Sequence, residues 1–174
     1  MMDRTKPMKS FSRIAGMLAA VALGAVGLVG CDQHKIDKLE EGLSTEADVR
    51  AEFGEPAYVW NESDGSRTFE YNRQPAGHRN YMVTIGPDGK MSALRQVLAP
   101  HMFEKIQPGM TDEQVRRMLG MPAKRMRFAL KQETDWDWQW IDPPNREMVF
   151  TVTFSDEGRV IRSASVQKRA SGEH

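Results

Sequence analysis

Glu104-Lys-Ile-Gln-Pro-Gly-Met-Thr-Asp-Glu-Gln-Val-Arg-Arg-Met-Leu-Gly-Met-Pro122 decides the fold. It reads as the end of one helix, a tight turn, and a short second helix with both ends specified. Gly109 suits a turn that needs positive φ. Thr111 stands at an N-cap with Gln114 three residues on, the capping-box spacing. Met110 and Val115 occupy the two positions of a hydrophobic staple. Asp112 and Glu113 sit at the positive end of the helix dipole, Arg116 and Arg117 towards the negative end. Val115, Met118 and Leu119 form an apolar stripe at helical spacing. Gly120 offers a terminating position and Pro122 bars continuation. This is packing grammar, with no nucleophile and no metal ligands in it.

The stretch occurs twice. Thr45 to Pro56 aligns with Thr111 to Pro122, 66 positions on, with Thr, Val, Arg, Gly and Pro matching in five of twelve places. The repeated signature is Thr45, Val49, Gly54 and Pro56 against Thr111, Val115, Gly120 and Pro122, with Gly42 answering Gly109. Self-similarity of this kind decides architecture. Sheet-forming residues align as well, now 69 apart: Phe69 with Trp138, Tyr71 with Trp140, Val83 with Val152, Ile85 with Phe154, Gly89 with Gly158. The growth from 66 to 69 puts three extra residues in a loop of the second copy, where insertions are tolerated.

Within each copy the order is two helices and four strands. Asp32 to Glu41 reads as a short helix or tether, 45–53 as the signature helix, and Ala57 to Glu62, Thr68 to Tyr71, Tyr81 to Ile85 and Met91 to Leu98 as strands. Turns fall at Ser63-Asp-Gly-Ser66 and Gly86-Pro-Asp-Gly89. The second copy begins with a helix over Pro100 to Ile106 and continues through strands at Ala123 to Leu130, around Trp136 to Trp140, Met148 to Phe154 and Val160 to Lys168. Short turns between consecutive strands imply an antiparallel meander. The fold class is therefore α+β: two tandem repeats, 31–98 and 99–168, each a helix pair on a four-stranded meander. One sheet face lies under the helices and the other is expected to be free. Residues 169–174 read as a tail.

Residues 1–30 stand apart from the fold. Arg4, Lys6, Lys9 and Arg13 precede 16 uncharged residues, Ile14 to Val29, in the manner of a secretory signal. That run is short for a membrane span of about 20 residues. It ends in Leu28-Val29-Gly30-Cys31, which resembles a bacterial lipobox with Cys31 as the lipidated residue. Cys31 is the chain's single cysteine, which excludes internal disulfides and thiolate zinc clusters. Beyond residue 30 the chain has 20 basic and 23 acidic residues, giving no sign of a nucleic-acid partner.

Lys105 to Pro122 resembles the signature of the SmpA/OmlA domain, found in the BamE-like small lipoproteins of the outer-membrane barrel assembly machinery. The lipobox and the strand–turn–strand around Asp156-Glu-Gly158 agree with that resemblance. The first copy matches through Gly42 to Pro56, and its Arg73-Gln-Pro-Ala-Gly-His78 is similar to a loop of that family. BamE-like lipoproteins have one copy of the domain and this chain has two. Tandem copies resemble the β-lactamase inhibitor protein architecture. The resemblance implies a lipid-anchored envelope module facing the periplasm, with a protein partner related to barrel assembly. The alternative is a module that binds a periplasmic enzyme through its tandem sheets. Asp32, directly after Cys31, resembles an inner-membrane retention signal, so the inner membrane stands beside the favoured outer membrane.

Candidate sites are few. Arg73, Gln74, His78 and Arg79 form the loop richest in functional groups, suited to a lipid head group or an acidic partner. Trp136, Trp138 and Trp140 read as packing beneath the helices, because Phe69 and Tyr71 hold matching places. Asp135 and Asp137 alternate with them and belong to the opposite, wet face. The four histidines have no metal-ligand spacing. Absence of a triad, metal set or phosphate loop leads to the expectation of no enzyme activity, no cofactor and no small-molecule substrate. Cys31→Ala is expected to abolish metabolic lipid labelling and to move the protein to the soluble fraction; labelling that persists in the variant would contradict the lipobox reading.

Overall fold

The computed structural model describes residues 31–168. The signal segment 1–30 and the tail 169–174 lie outside the described residues. The elements in order are α1 (Cys31–Ile36), α2 (Glu46–Phe53), β1 (Tyr58–Asn61), β2 (Arg67–Asn72), β3 (Asn80–Ile85), β4 (Met91–Gln96), α3 (Pro100–Phe103), α4 (Asp112–Leu119), β5 (Lys124–Phe128), β6 (Glu133–Asp142), β7 (Arg146–Ser155) and β8 (Val160–Gln167). Both sheets are four-stranded antiparallel meanders, β1-β2-β3-β4 and β5-β6-β7-β8. The α+β tandem of helix-plus-meander repeats is the architecture the sequence repeat implies. Two helices are shorter than expected. α1 ends at Ile36 instead of reaching Glu41. α3 ends at Phe103 instead of Ile106, and the chain turns at Gln107 to Met110.

Both signature helices start from capping boxes. Thr111 Oγ1 accepts from Gln114 N at 3.1 Å while Gln114 Oε1 accepts from Thr111 N at 2.8 Å. Thr45 and Asp48 do the same in the first repeat. Each helix start is also pinned to its own β-hairpin. Gly42 N donates to Met91 O and Glu46 N to Gly89 O, and Gly109 N donates to Val160 O and Asp112 N to Gly158 O. The three extra residues of the second repeat form a 3-10 turn, Ala129–Lys131.

Each helix pair covers one sheet face. Val49 and Phe53 of α2 bury against Phe69, Tyr71, Val83 and Ile85. Val115 and Leu119 of α4 bury against Trp136, Trp138, Phe150, Val152 and Phe154. The three tryptophans are thus core, and the bulk they add is matched by stacking of Phe103 on Phe150 at 4.1 Å.

The expectation of a free outer face fails for the first sheet. The outward side of α4 and the turn after it lie on that face. Arg116 sits over the Tyr58 ring at 4.7 Å and Arg117 over the Trp60 ring at 4.4 Å. Met82, on the outer face of β3, joins the second core with Leu119. The layers therefore run helix, sheet, helix, sheet. The reason is composition. Tyr58, Trp60 and Met82 make that face too apolar to leave in water.

At the centre of this seam Glu70 is fully buried. Its Oε2 accepts from Trp60 Nε1 and Arg116 Nε, each at 3.2 Å, and its Oε1 from Asn72 Nδ2 at 2.8 Å and Met121 N at 3.1 Å. Four donors and an adjacent guanidinium offset the cost of removing a carboxylate from water. Asn80, also fully buried, donates through Nδ2 to Leu119 O at 2.8 Å and Met121 O at 3.0 Å. Trp138 Nε1 donates to Gly120 O at 3.1 Å from the other side. A Cβ on Gly120 would stand 2.6 Å from Asn72 Oδ1, whereas one on Gly54 would meet nothing within 4 Å.

Two stability predictions follow from the seam. Glu70→Ala is expected to cost about 3–5 kcal/mol in urea unfolding because it leaves Arg116 and the buried Trp60 Nε1 unpaired, whereas Glu52→Ala, at the exposed Lys38 pair, costs less than about 1 kcal/mol. Gly54 and Gly120 share a positive φ, 82° and 75°, so both alanine variants carry the backbone strain of about 1–3 kcal/mol. Gly120→Ala should lose about 1–3 kcal/mol more, the overpacking cost; equal losses would mean the seam yields freely.

Candidate functional site

The loop 73–79 joins β2 to β3. Arg73 makes a two-pronged contact with Asp32 of α1, Nε to Oδ2 at 3.1 Å and Nη2 to Oδ1 at 3.2 Å. Its guanidinium also lies 5.7 Å from the centre of the Phe53 ring. The Gln74 side-chain amide behaves as a piece of backbone. Its Nε2 donates to Gln139 O at 2.7 Å and its Oε1 accepts from Gln139 N at 3.1 Å. β5 pairs with β6 only across residues 133–137, so the strand edge at Gln139 is open and Gln74 closes it. Arg73 and Gln74 are therefore engaged within the chain. His78 is half-buried and Arg79 exposed, and among the described residues no hydrogen bond or ion pair of either side chain is recorded.

Among the described residues, the outer face of the second sheet is the one large sheet face without helices on it. Asp135 and Asp137 lie there, as their alternation with the tryptophans predicts. Asp135 Oδ1 accepts from Thr153 Oγ1 at 2.6 Å and Asp137 Oδ1 from Thr151 Oγ1 at 2.7 Å. Glu133 accepts two bonds from Arg162 at 3.0 and 2.7 Å. The Arg162 hydrogen bond is the main reason the Glu133 carboxyl lies below its ordinary 4.5. Lys168 Nζ reaches Gln139 Oε1 at 3.2 Å. Beside these polar rows Met126, Phe128 and Val166 are exposed, and Leu130 at the hairpin tip is 103% exposed. A rigid sheet carrying paired charges and hydroxyls with an apolar rim can hold a protein surface. Among the described residues no group of three His, Cys, Asp or Glu can hold a metal ion.

Sequence reasoning anticipated a free sheet face and placed Asp135 and Asp137 on its wet side, but it did not find the apolar rim, whose members sit on edge strands that alternate weakly. The signal available was the run Lys124-Arg-Met-Arg-Phe128, too charged on both faces for a covered strand.

Residues 96–164 match the family model of the outer membrane protein assembly factor BamE domain. The second repeat is thus similar to the BamE domain. No curated protein matches the chain. Among solved structures, an osmotically inducible lipoprotein, OsmE, is 20% identical with a TM-score of 0.34, covering 38% of this chain and 75% of its own. A protein of Streptococcus mutans described as a β-lactamase inhibitor protein is 9% identical with a TM-score of 0.32, covering 78% of this chain and 95% of its own. The matched segment contains α4, which seals the first sheet, β5 to β7 and the first part of β8, and so most of the uncovered outer face.

Carboxylates set the acid limit of the fold. Glu46 is held below 4.5 chiefly by its hydrogen bond from Arg67, as Glu133 is by Arg162. A depressed folded value stabilises the protein fully above the unfolded value and is lost as pH falls through the folded one. Stability measured by urea titration is therefore expected to fall as pH drops below 4.5, and Glu46→Gln and Glu133→Gln should each flatten that fall.

Proposed function

We propose that this protein is a lipid-anchored binding module of the cell envelope that serves outer-membrane β-barrel protein assembly. The carrying observation is the BamE-domain match over 96–164. It falls on the repeat whose outer sheet face is uncovered. In this reading Cys31 bears the acyl chains, and two or more chains hold the module stably at the membrane. The outer membrane is favoured and the inner membrane is the alternative; the side chain of Asp32 is engaged by Arg73. No helix among the described residues is long and apolar enough to cross a membrane.

The partner surface is the outer face of β5 to β8. Met126, Phe128 and Val166 supply apolar area, and the Asp and Thr rows supply polar complementarity, which fixes partner choice more than affinity. His78 and Arg79 are offered as an outlying contact to an acidic group or a lipid phosphate. Arg73 and Gln74 hold the loop in place for them. An inhibitor-like role would have to use the same single face, because the first sheet's outer face lies under α4. That removes the wide clamp of two sheets which such a role would call for.

A photo-crosslinking residue placed at Met126 in the anchored protein is expected to capture a component of the barrel-assembly machinery, and the same residue at Ala51 on the opposite end of the stack is not. Capture of envelope proteins with no barrel-assembly component at Met126 would overturn the reading.

A further inference from the structure

Two sheets have four outer edges, and three of them are protected. β1 is four residues long and carries the Arg116 guanidinium on Tyr58. β5 is five residues long, with Lys124, Arg125 and Arg127 along it, the charge-bearing edge that resists pairing. β4 is held at its start by Met91 N donating to Ser44 O at 2.8 Å and Met91 O accepting from Gly42 N at 2.7 Å, as β8 is at Val160 by Met110 O and Gly109 N, and it is blocked further along as well, where Leu94 N donates to Glu41 Oε1 at 3.1 Å.

β8 differs. It runs for eight residues, Val160–Gln167, and every residue after Val160 is exposed. Its one charge, Arg162, is already paired with Glu133. Ser163 is the counterpart of Leu94, 69 positions on. Pro108 precedes Gly109 where Glu41 precedes Gly42, so the carboxylate that blocks β4 has no equivalent beside β8. Lys168 N donates to Glu147 O across the β7–β8 ladder. Alternation then turns the N–H and C=O groups of Ser163, Ser165 and Gln167 away from β7. Among the described residues, no partner for the Ser163 or Ser165 backbone is recorded on that side.

We infer that β8 pairs antiparallel with β8 of a second copy of this chain, about a twofold axis at Ala164. The sequence is self-complementary about that point. Ser163 faces Ser165 in a hydrogen-bonded pair, each exchanging N–H and C=O. Ala164 faces Ala164 at the close, non-hydrogen-bonded spacing of about 4.5 Å between Cα atoms, where a small side chain is needed. Arg162 faces Val166, so no like charges oppose one another. Shifting the axis to Ser165 would set Arg162 against Lys168, which selects the register. Pairing joins two four-stranded sheets into one of eight strands and sets the two outer faces side by side. The inference is independent of the barrel-assembly reading, since it needs only a second copy.

The test uses the purified full chain in detergent. Sedimentation across the micromolar to millimolar range is expected to show a monomer–dimer equilibrium. Ala164→Cys should give a disulfide-linked dimer under mild oxidation, whereas Ser92→Cys on β4 should not. Ser163→Pro removes only an outward N–H, and Ala164→Lys sets like charges on the axis; each is expected to weaken association by roughly tenfold or more, a difference of about 1.4 kcal/mol, with the urea midpoint of the monomer held. A wild-type chain that stays monomeric throughout, or a dimer that neither variant weakens and Ala164→Cys does not link, would overturn the inference.

Discussion

The structure turns on one buried carboxylate and the three-residue turn it grips. Glu70 reaches across the seam to Arg116 and to the backbone of Met121, and Asn80 takes the carbonyls of Leu119 and Met121. Trp138 holds Gly120 from the opposite side. One turn is thus fastened to both sheets at once. An isolated buried charge is costly, and a well-paired one gives direction more than stability. Here the direction is the relative placement of two repeats that share no strand pairing. A purely apolar seam would leave the second repeat free to slide; Glu70 and Asn80 fix it to one position.

The same residue type in the two repeats meets different fates because the register of the first strand differs. In the first sheet Trp60 lies opposite Thr68, and in the second Lys124 lies opposite Asp137. Glu70 has Gln139 as its counterpart. The face that receives a helix thus carries tryptophan, tyrosine and a carboxylate, while the face that ends the stack carries lysine, aspartate, threonine and glutamine. A further helix bearing the Arg116–Arg117 pair would meet Lys124 where the first sheet offers Trp60. Such a helix would find no apolar seat there, and the outer face suits another kind of surface. The short β5 also leaves the strand edge at Gln139 uncovered, and Gln74 from the first repeat fills it with a side-chain amide.

Much of the fold was legible in the residues. Thr111 and Gln114 announced a capping box that forms as written, Gly109 and Gly120 take positive φ, and the Trp136-Trp138-Trp140 alternation placed three rings in the core. These features rest on neighbours within a few positions, where chemistry and geometry are tightly linked. The candidate loop was legible only in part. Arg73 and Gln74 carry the right groups for a ligand, yet their partners, Asp32 and Gln139, are 41 and 65 positions away in sequence. No local pattern records such a pairing.

The sequence by itself determined two repeats, their helix-plus-meander content and the faces of each strand, because capping, turn chemistry and alternation act over short distances. The tertiary structure alone decided how the repeats stack, which outer face is lost under α4, and which edge remains open. Those outcomes depend on Glu70, Asn80 and Glu41 meeting groups from remote segments, and a buried hydrogen bond between distant residues leaves no periodic trace in the chain.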